Sequence, residues 1–193
     1  TSTLVHNTVS VNEQEQMTRV SRFLYLDWAD ARFKRHFETG ADYIQRASAQ
    51  TYAYARFGVR HARSVTIEQD ENWLVEDELL NLSQKPHIYR LHWLLPDWEW
   101  EMEAGGQKVE VRVKSPQGWV KLAISADQPV KRVGLIRAGE LIHGDGLLSP
   151  TYGWLSPTYS VKIPALSLAV EVQSTDTVKF RSEFTFPMMD NRQ

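Results

Sequence analysis

The sequence predicts an all-β fold, an antiparallel β-sandwich, from three observations. Apolar and polar residues alternate along much of the chain, with Val109, Val111 and Val113 set against Glu110, Arg112 and Lys114. Leu166, Leu168, Val170 and Val172 alternate in the same way with Ser167, Ala169 and Glu171. Successive side chains of a strand point to opposite faces, so this pattern describes half-buried strands with one face inward. Turn signals punctuate the alternation at Gly105-Gly106, Ser115-Pro116-Gln117-Gly118, Asp127-Gln128-Pro129 and His143-Gly144-Asp145-Gly146. Short strands at roughly 8–12-residue spacing between such turns mark a sandwich or barrel. The 193 residues, 42% hydrophobic and 24% charged, are enough for one domain with its own core, and the patterning shows no boundary within them.

The first segment, Ser2-Thr3-Leu4-Val5-His6-Asn7-Thr8-Val9-Ser10-Val11-Asn12, reads as a strand. Alternation puts His6 on one face with Leu4 and Thr8, and Asn7 on the other with Val5 and Val9. From Trp28 to Gln50 the reading divides. Ala29, Phe33 and Phe37 lie four apart and Gly40 is a stop signal, so one short helix within 29–50 competes with irregular strands. Gly58 to Val65 and Trp73 to Leu79 read as two strands joined by a turn at Glu68 to Asn72. His61 and Arg63 share a face with Val65 and Ile67, which puts two polar groups at one end of an apolar row, near a sheet edge or cleft. A salt bridge from Arg63 to Glu76 or Asp77 is the structural alternative there. Trp98 and Trp100, at i and i+2, fall on one face of a strand. From Tyr152 to Pro164 the pairs Ser149-Pro150 and Ser156-Pro157 keep the chain extended or turning. This aromatic loop suits stacking on a carbohydrate or a neighbouring domain, and equally the capping of a sandwich end. Val178 and Phe180, then Phe184 and Phe186, alternate with charged and polar neighbours in the last strands.

Composition narrows the functions. The net charge is -2, with no basic stripe, so nucleic acid and anionic membranes are poor partners. The absence of Cys excludes disulfides and thiolate metal sites. No apolar run approaches the ~20 residues of a transmembrane helix, and no signal peptide is visible. The chain begins with Thr1 rather than Met and reads as an excised fragment or a processed product. Seven Trp and seven Tyr serve first to pack sheets, although flat aromatic faces also stack on sugar rings.

Titratable chemistry centres on six histidines, His6, His36, His61, His87, His92 and His143. None has the spacing of a helical metal site. His87 and His92, five apart, fall on opposite strand faces, which argues against a shared ligand role. A lone strand histidine is mostly a hydrogen-bonded structural residue. His6 beside Asn7 on a rigid element also meets the requirement for a proton-transfer group. Spacing alone leaves both readings open.

Three segments together resemble the C-terminal β-domain of heparinase II/III-like proteins. The first matches that family's Ser-Thr-x-x-His-Asn-Thr-(Val/Leu)-x-(Val/Leu)-Asp pattern, and Gln16 fits a glutamine that follows it. The second, from His61 and Trp73, resembles its His-x-Arg-x-Val and Trp-Leu-Val-x-Asp-x-Leu. The third, from Gly153, looks like its Gly-Trp-x-Ser-Pro-x-Tyr-Gly followed by Lys and Pro. Order and spacing agree from Ser2 to about Phe186. The departures are Asn12 for Asp, Glu13 for Gly and Ser160 for Gly.

The resemblance implies a polysaccharide lyase that cleaves uronic-acid polysaccharides by β-elimination, built from an N-terminal α/α-toroid and this sandwich. His6 would be the sandwich's catalytic histidine, with Asn7, Arg63, Trp154 and Tyr159 binding substrate or supporting. The toroid of the same polypeptide and an acidic polysaccharide are the implied partners, a periplasmic or extracellular location is implied, and the chain alone is expected to be inactive. No cofactor is required. Some members hold a structural zinc, for which His61 looks like one ligand and Asp30 or Asp27 another. The position two after the catalytic histidine, a His in zinc-binding members, is Thr8 here. The rival expectations are a carbohydrate-binding module using Trp98, Trp100, Trp119 or Trp154, and a sandwich that only braces the toroid.

Overall fold

The computed structural model describes residues 2–21, 23–70 and 72–187, with the backbone alone at 35–37. In chain order its strands are β1 (Val9–Val11), β2 (Thr18–Arg19), β3 (Tyr25–Leu26), β4 (Ala31–Glu38), β5 (Tyr43–Thr51), β6 (Val59–Glu68), β7 (Trp73–Asn81) and β8 (His87–Pro96). They continue as β9 (Trp100–Gly105), β10 (Lys108–Ser115), β11 (Gly118–Ala126), β12 (Val130–Arg137), β13 (Glu140–Gly144), β14 (Trp154–Leu155), β15 (Ile163–Ser174) and β16 (Val178–Thr185). Short 3-10 turns cover Thr3–Val5 and Ala55–Phe57. The helix expected as one alternative within 29–50 is absent: β4 and β5 form an antiparallel hairpin. Its pairing shifts register between Phe33 and Arg35 and again between Arg35 and Glu38. A spacing of four is shared by one face of a strand and one face of a helix, and the extra residues at these bulges interrupt the alternation that would tell the two apart. The side chains of His36 and Phe37 lie outside the described residues.

Two antiparallel sheets make the sandwich. The larger runs β4-β5-β6-β7-β16-β11-β10-β9 and the smaller β1-β8-β15-β12-β13, with β14 paired to the end of β15. Alternate residues of both sheets meet in one core, with Val9, Tyr89, Leu91, Leu168 and Val170 on one side and Val75, Leu79, Val111, Ile124 and Phe180 on the other. Trp93 of β8 joins the layers. Its ring meets Phe184 edge-on with centroids 4.9 Å apart, and its Nε1 donates to Ser182 Oγ at 3.1 Å. A buried indole needs such a partner for its N–H.

The smaller sheet departs from the half-buried pattern read from alternation. Ser10, Arg90, His92, Ser167 and Glu171, on its outward face, are all buried. The N-terminal turn contributes to this cover, since it takes hydrogen bonds from Arg90 and His92. Tyr152, whose ring lies 5.0 Å from the Arg90 guanidinium carbon, brings the 145–163 loop against the same face.

Candidate active site

His6 does not sit on a strand. Ser2 Oγ accepts a hydrogen bond from Leu4 N at 3.2 Å and so caps a single 3-10 turn, which ends when His6 N donates to Thr3 O at 3.2 Å. A serine that offers the backbone a local partner competes with strand pairing in this way. Thr8 N then donates to His6 O at 2.8 Å, which closes a γ-turn centred on Asn7, and β1 starts only at Val9. Both His6 and Asn7 are exposed as a result. His6 faces a cleft of about 300 Å³ whose walls include Thr3, Thr8, Gln16 and Tyr25. Glu15 anchors its floor, taking hydrogen bonds from Ser2 Oγ and from Thr3 N. Burial pushes the Glu15 carboxyl up, but the hydrogen bonds from Ser2 and Thr3 outweigh it and hold the group below its ordinary value.

The backbone of this turn is tied to both sheets. His92 Nδ1 meets His6 O at 2.9 Å, and Leu94 N donates to Asn7 Oδ1 at 2.7 Å, both from β8. Arg90 Nη1, also on β8, donates to Leu4 O at 3.1 Å. From β6 in the other sheet, Arg63 Nη1 donates to Asn7 O at 2.6 Å.

Arg63 is held in turn by Asp77. Its Nε and Nη2 donate to Asp77 Oδ1 and Oδ2 at 2.7 and 2.9 Å, a two-bond fork. His61 Nε2 lies 2.6 Å from Asp77 Oδ1 and donates, because an ionised carboxylate only accepts. Burial raises the Asp77 pKa, yet the His61 hydrogen bond and the Arg63 charge together keep it below the usual carboxylate range. The sequence pairs His61 with Arg63 correctly, and Asp77 is one of the two partners foreseen for Arg63. Of the two expected locations, a sheet edge or a cleft, the edge is excluded because β6 lies inside the larger sheet between β5 and β7, while Arg63 and Asp77 line a hollow on that sheet.

The model of the family described as heparinase II/III-like, C-terminal, matches residues 1–181. The chain belongs to the heparinase II/III-like family. Among solved structures, this heparinase II/III-like domain superposes on a heparinase III with a TM-score of 0.68, at 14% identity over 98% of this chain and 25% of that one. The heparan sulfate lyase HepC from Pedobacter heparinus matches with a TM-score of 0.64, at 18% identity over 95% of this chain and 24% of that one. The domain thus spans about a quarter of the length of the chains it matches. No curated protein matches.

The other expected site residues of the heparinase II/III-like domain lie elsewhere. Trp154 opens β14, with its Nε1 bonded to Pro150 O at 3.1 Å and Lys162 Nζ 3.6 Å from its ring centroid. Tyr159 is 86% exposed. Neither lines the His6 cleft, although Thr151 of the same loop borders its continuation beside Ser2 and Tyr25. Trp98 and Trp100 do not share a strand face. Trp98 stands in the turn after β8, and Trp100 begins β9, edge-on to His143 at 6.0 Å.

The residues suggested for zinc do not fit a metal centre. His61 Nε2 and both Asp77 oxygens are engaged, and the Arg63 guanidinium brings a positive charge to the carboxylate. Asp30 is exposed and pairs with Arg32 at 3.2 Å, and Asp27 accepts from Thr18 at 3.2 Å. Among the described residues no group of three or more His, Cys, Asp or Glu is arranged to hold a metal ion.

Arg90 is not singled out from the sequence, and His92 is weighed there only as a ligand partner of His87. Their signal was present: two polar residues at i and i+2 in the otherwise apolar run from Ile88 to Leu95. In a strand buried on both faces, such a row must meet partners from an overlying segment.

Proposed function

We propose that this domain is the sandwich portion of a lyase that cleaves uronic-acid polysaccharides by β-elimination, with His6 as the catalytic residue it brings to a cleft shared with an N-terminal toroid. The observation that supports this most is an exposed imidazole at a cleft, on a turn whose backbone is fixed from both sheets. Family membership points the same way.

The chemistry explains the residue types. The C5 proton, alpha to the uronate carboxylate, is weakly acidic until that carboxylate is neutralised. A base removes the proton, its electron pair forms the C4–C5 double bond, and the C4–O bond breaks as the departing oxygen takes up a proton. His6 accepts the C5 proton or polarises the carboxylate. Asn7, whose Oδ1 is taken by Leu94 N, keeps its Nδ2 hydrogens for a substrate oxygen. Arg63 is spent on Asp77 and Asn7 O, so it supports the site from beneath. Tyr159 presents a flat exposed face to an extended chain. The toroid completes the charge neutraliser and the acid. A substrate of this kind places the protein in the periplasm or outside the cell.

The test incubates the full-length protein, and separately this chain alone, with a uronic-acid polysaccharide and with a neutral one. Ultraviolet absorbance of an unsaturated uronate is expected only from the full-length protein and only with the acidic polymer. Unsaturated product from this chain alone would contradict a shared cleft.

A further inference from the structure

We propose that His92 and Arg63 are positioning residues for His6, each fixing one of two consecutive carbonyls so that the side chain leaves the backbone toward the cleft in the direction the reaction needs. The inference rests on the reading of His6 as the catalytic residue and names the residues through which the fold controls it.

Geometry carries the argument. His6 O is held from β8 by His92 Nδ1 at 2.9 Å, and Asn7 O from β6 by Arg63 Nη1 at 2.6 Å, so the two carbonyls are tied to different sheets. His6 N is bound to Thr3 O at 3.2 Å on its other side. The two peptide planes flanking His6 are thereby fixed, one by Thr3 and one by His92, and Arg63 fixes the next plane, after Asn7, so the direction of the His6 Cα–Cβ bond is set. Among the described residues no hydrogen bond is made by the His6 ring itself. Its hydrogen-bonded constraints therefore come through the backbone.

The tautomer of His92 follows from its partners. A carbonyl only accepts, so Nδ1 carries the hydrogen that meets His6 O. Nε2 is then the acceptor, and Ser167 Oγ, 2.6 Å away, donates to it. His92 is 2% exposed and Ser167 fully buried, so water does not substitute for either bond. Burial and the Arg90 charge push the His92 pKa down to about 4, against the His6 carbonyl bond, so the ring stays neutral at working pH. Arg63 is similarly committed, because Asp77 takes Nε and Nη2 and leaves Nη1 aimed at Asn7 O.

A pair of amides at position 92 separates positioning from structure. The amide nitrogen of Asn reaches the place of Nδ1 and can donate, and the amide oxygen of Gln reaches the place of Nε2 and can accept from Ser167 Oγ. In the full-length protein, His92→Asn keeps the His6 carbonyl bond and is expected to hold kcat within about threefold. His92→Gln keeps the Ser167 bond, loses the carbonyl bond, and is expected to lower kcat by about 10–100-fold with KM little changed. In a His6→Ala background His92→Gln adds no further loss. The His6 ring resonance in ¹³C-histidine-labelled protein shifts or broadens in His92→Gln and not in His92→Asn. Equal kcat losses in the two variants, or an unmoved His6 resonance in His92→Gln, would overturn the positioning role. Full activity in His6→Ala with a resonance that still moves would instead refute the catalytic reading of His6 and leave the geometry standing.

Discussion

Asp77 shows how much one buried carboxylate organises. It is 1% exposed and binds His61 and Arg63, and through Arg63 it reaches the backbone beside His6. Removing one member of such a network leaves the other charge unpaired, so Asp77→Asn is expected to cost about 3 kcal/mol at neutral pH. Denaturant titration measures that loss. The sign of the pH dependence follows from the depressed pKa. The stabilisation is complete above the unfolded carboxyl value of about 3.9 and disappears as pH falls through the lower folded value. Stability followed below about pH 4 should therefore decline less steeply in Asp77→Asn than in the parent chain. An equally steep acid limb in both would remove Asp77 from the explanation.

Turns explain where the sequence departs from its family. Asn12 and Glu13 both lie in the left-handed region, at φ 53° and 58°, and Ser160 has φ 61°. Asn12 and Glu13 are the central pair of a turn closed by Gln14 N on Val11 O at 3.0 Å. Such a turn requires positive φ at both centres. Asn12 tolerates it and gains a bond from Ile88 N to its Oδ1 at 3.0 Å. Glu13 has no such excuse and bears the steric cost of its Cβ, about 1 kcal/mol. Glu13→Gly is accordingly expected to raise stability by about 1 kcal/mol, read as a higher denaturation midpoint at unchanged slope. A lowered midpoint would mean that Glu13 makes a contribution beyond the turn.

The same level shows what the sequence could and could not reveal. Strands such as β10, where Val109, Val111 and Val113 face the core, were legible because nothing interrupts their alternation. The β4–β5 hairpin was ambiguous because its bulges, visible only in pairing, shift the pattern. Placing His6 on a strand failed for a similar reason. Leu4 and Val5 have strand-like chemistry, but Ser2, Glu15 and His92 offer the backbone other partners, two of them distant in sequence.

Across the sandwich, the larger sheet supplies Arg63 and its buried anchor, and the smaller sheet supplies Arg90, His92 and Leu94. The turn carrying His6 is thus stitched over the end of both layers, and the core that joins them through Trp93, Ser182 and Phe184 fixes the separation it must span. Rigid sheets hold a reactive group more closely than a free loop does. The resemblance stated from three short segments therefore acquires a physical basis, because the residues in its first two segments converge at Asn7 and Arg63. The most direct measurement is kcat of the full-length protein carrying His6→Ala on a uronic-acid polysaccharide, beside the unsubstituted protein, followed by the absorbance of the proposed unsaturated product. Loss of a proton-transfer residue predicts a fall of at least about 100-fold with the fold intact. Wild-type turnover would contradict a catalytic His6 and leave the clamped turn as scaffold.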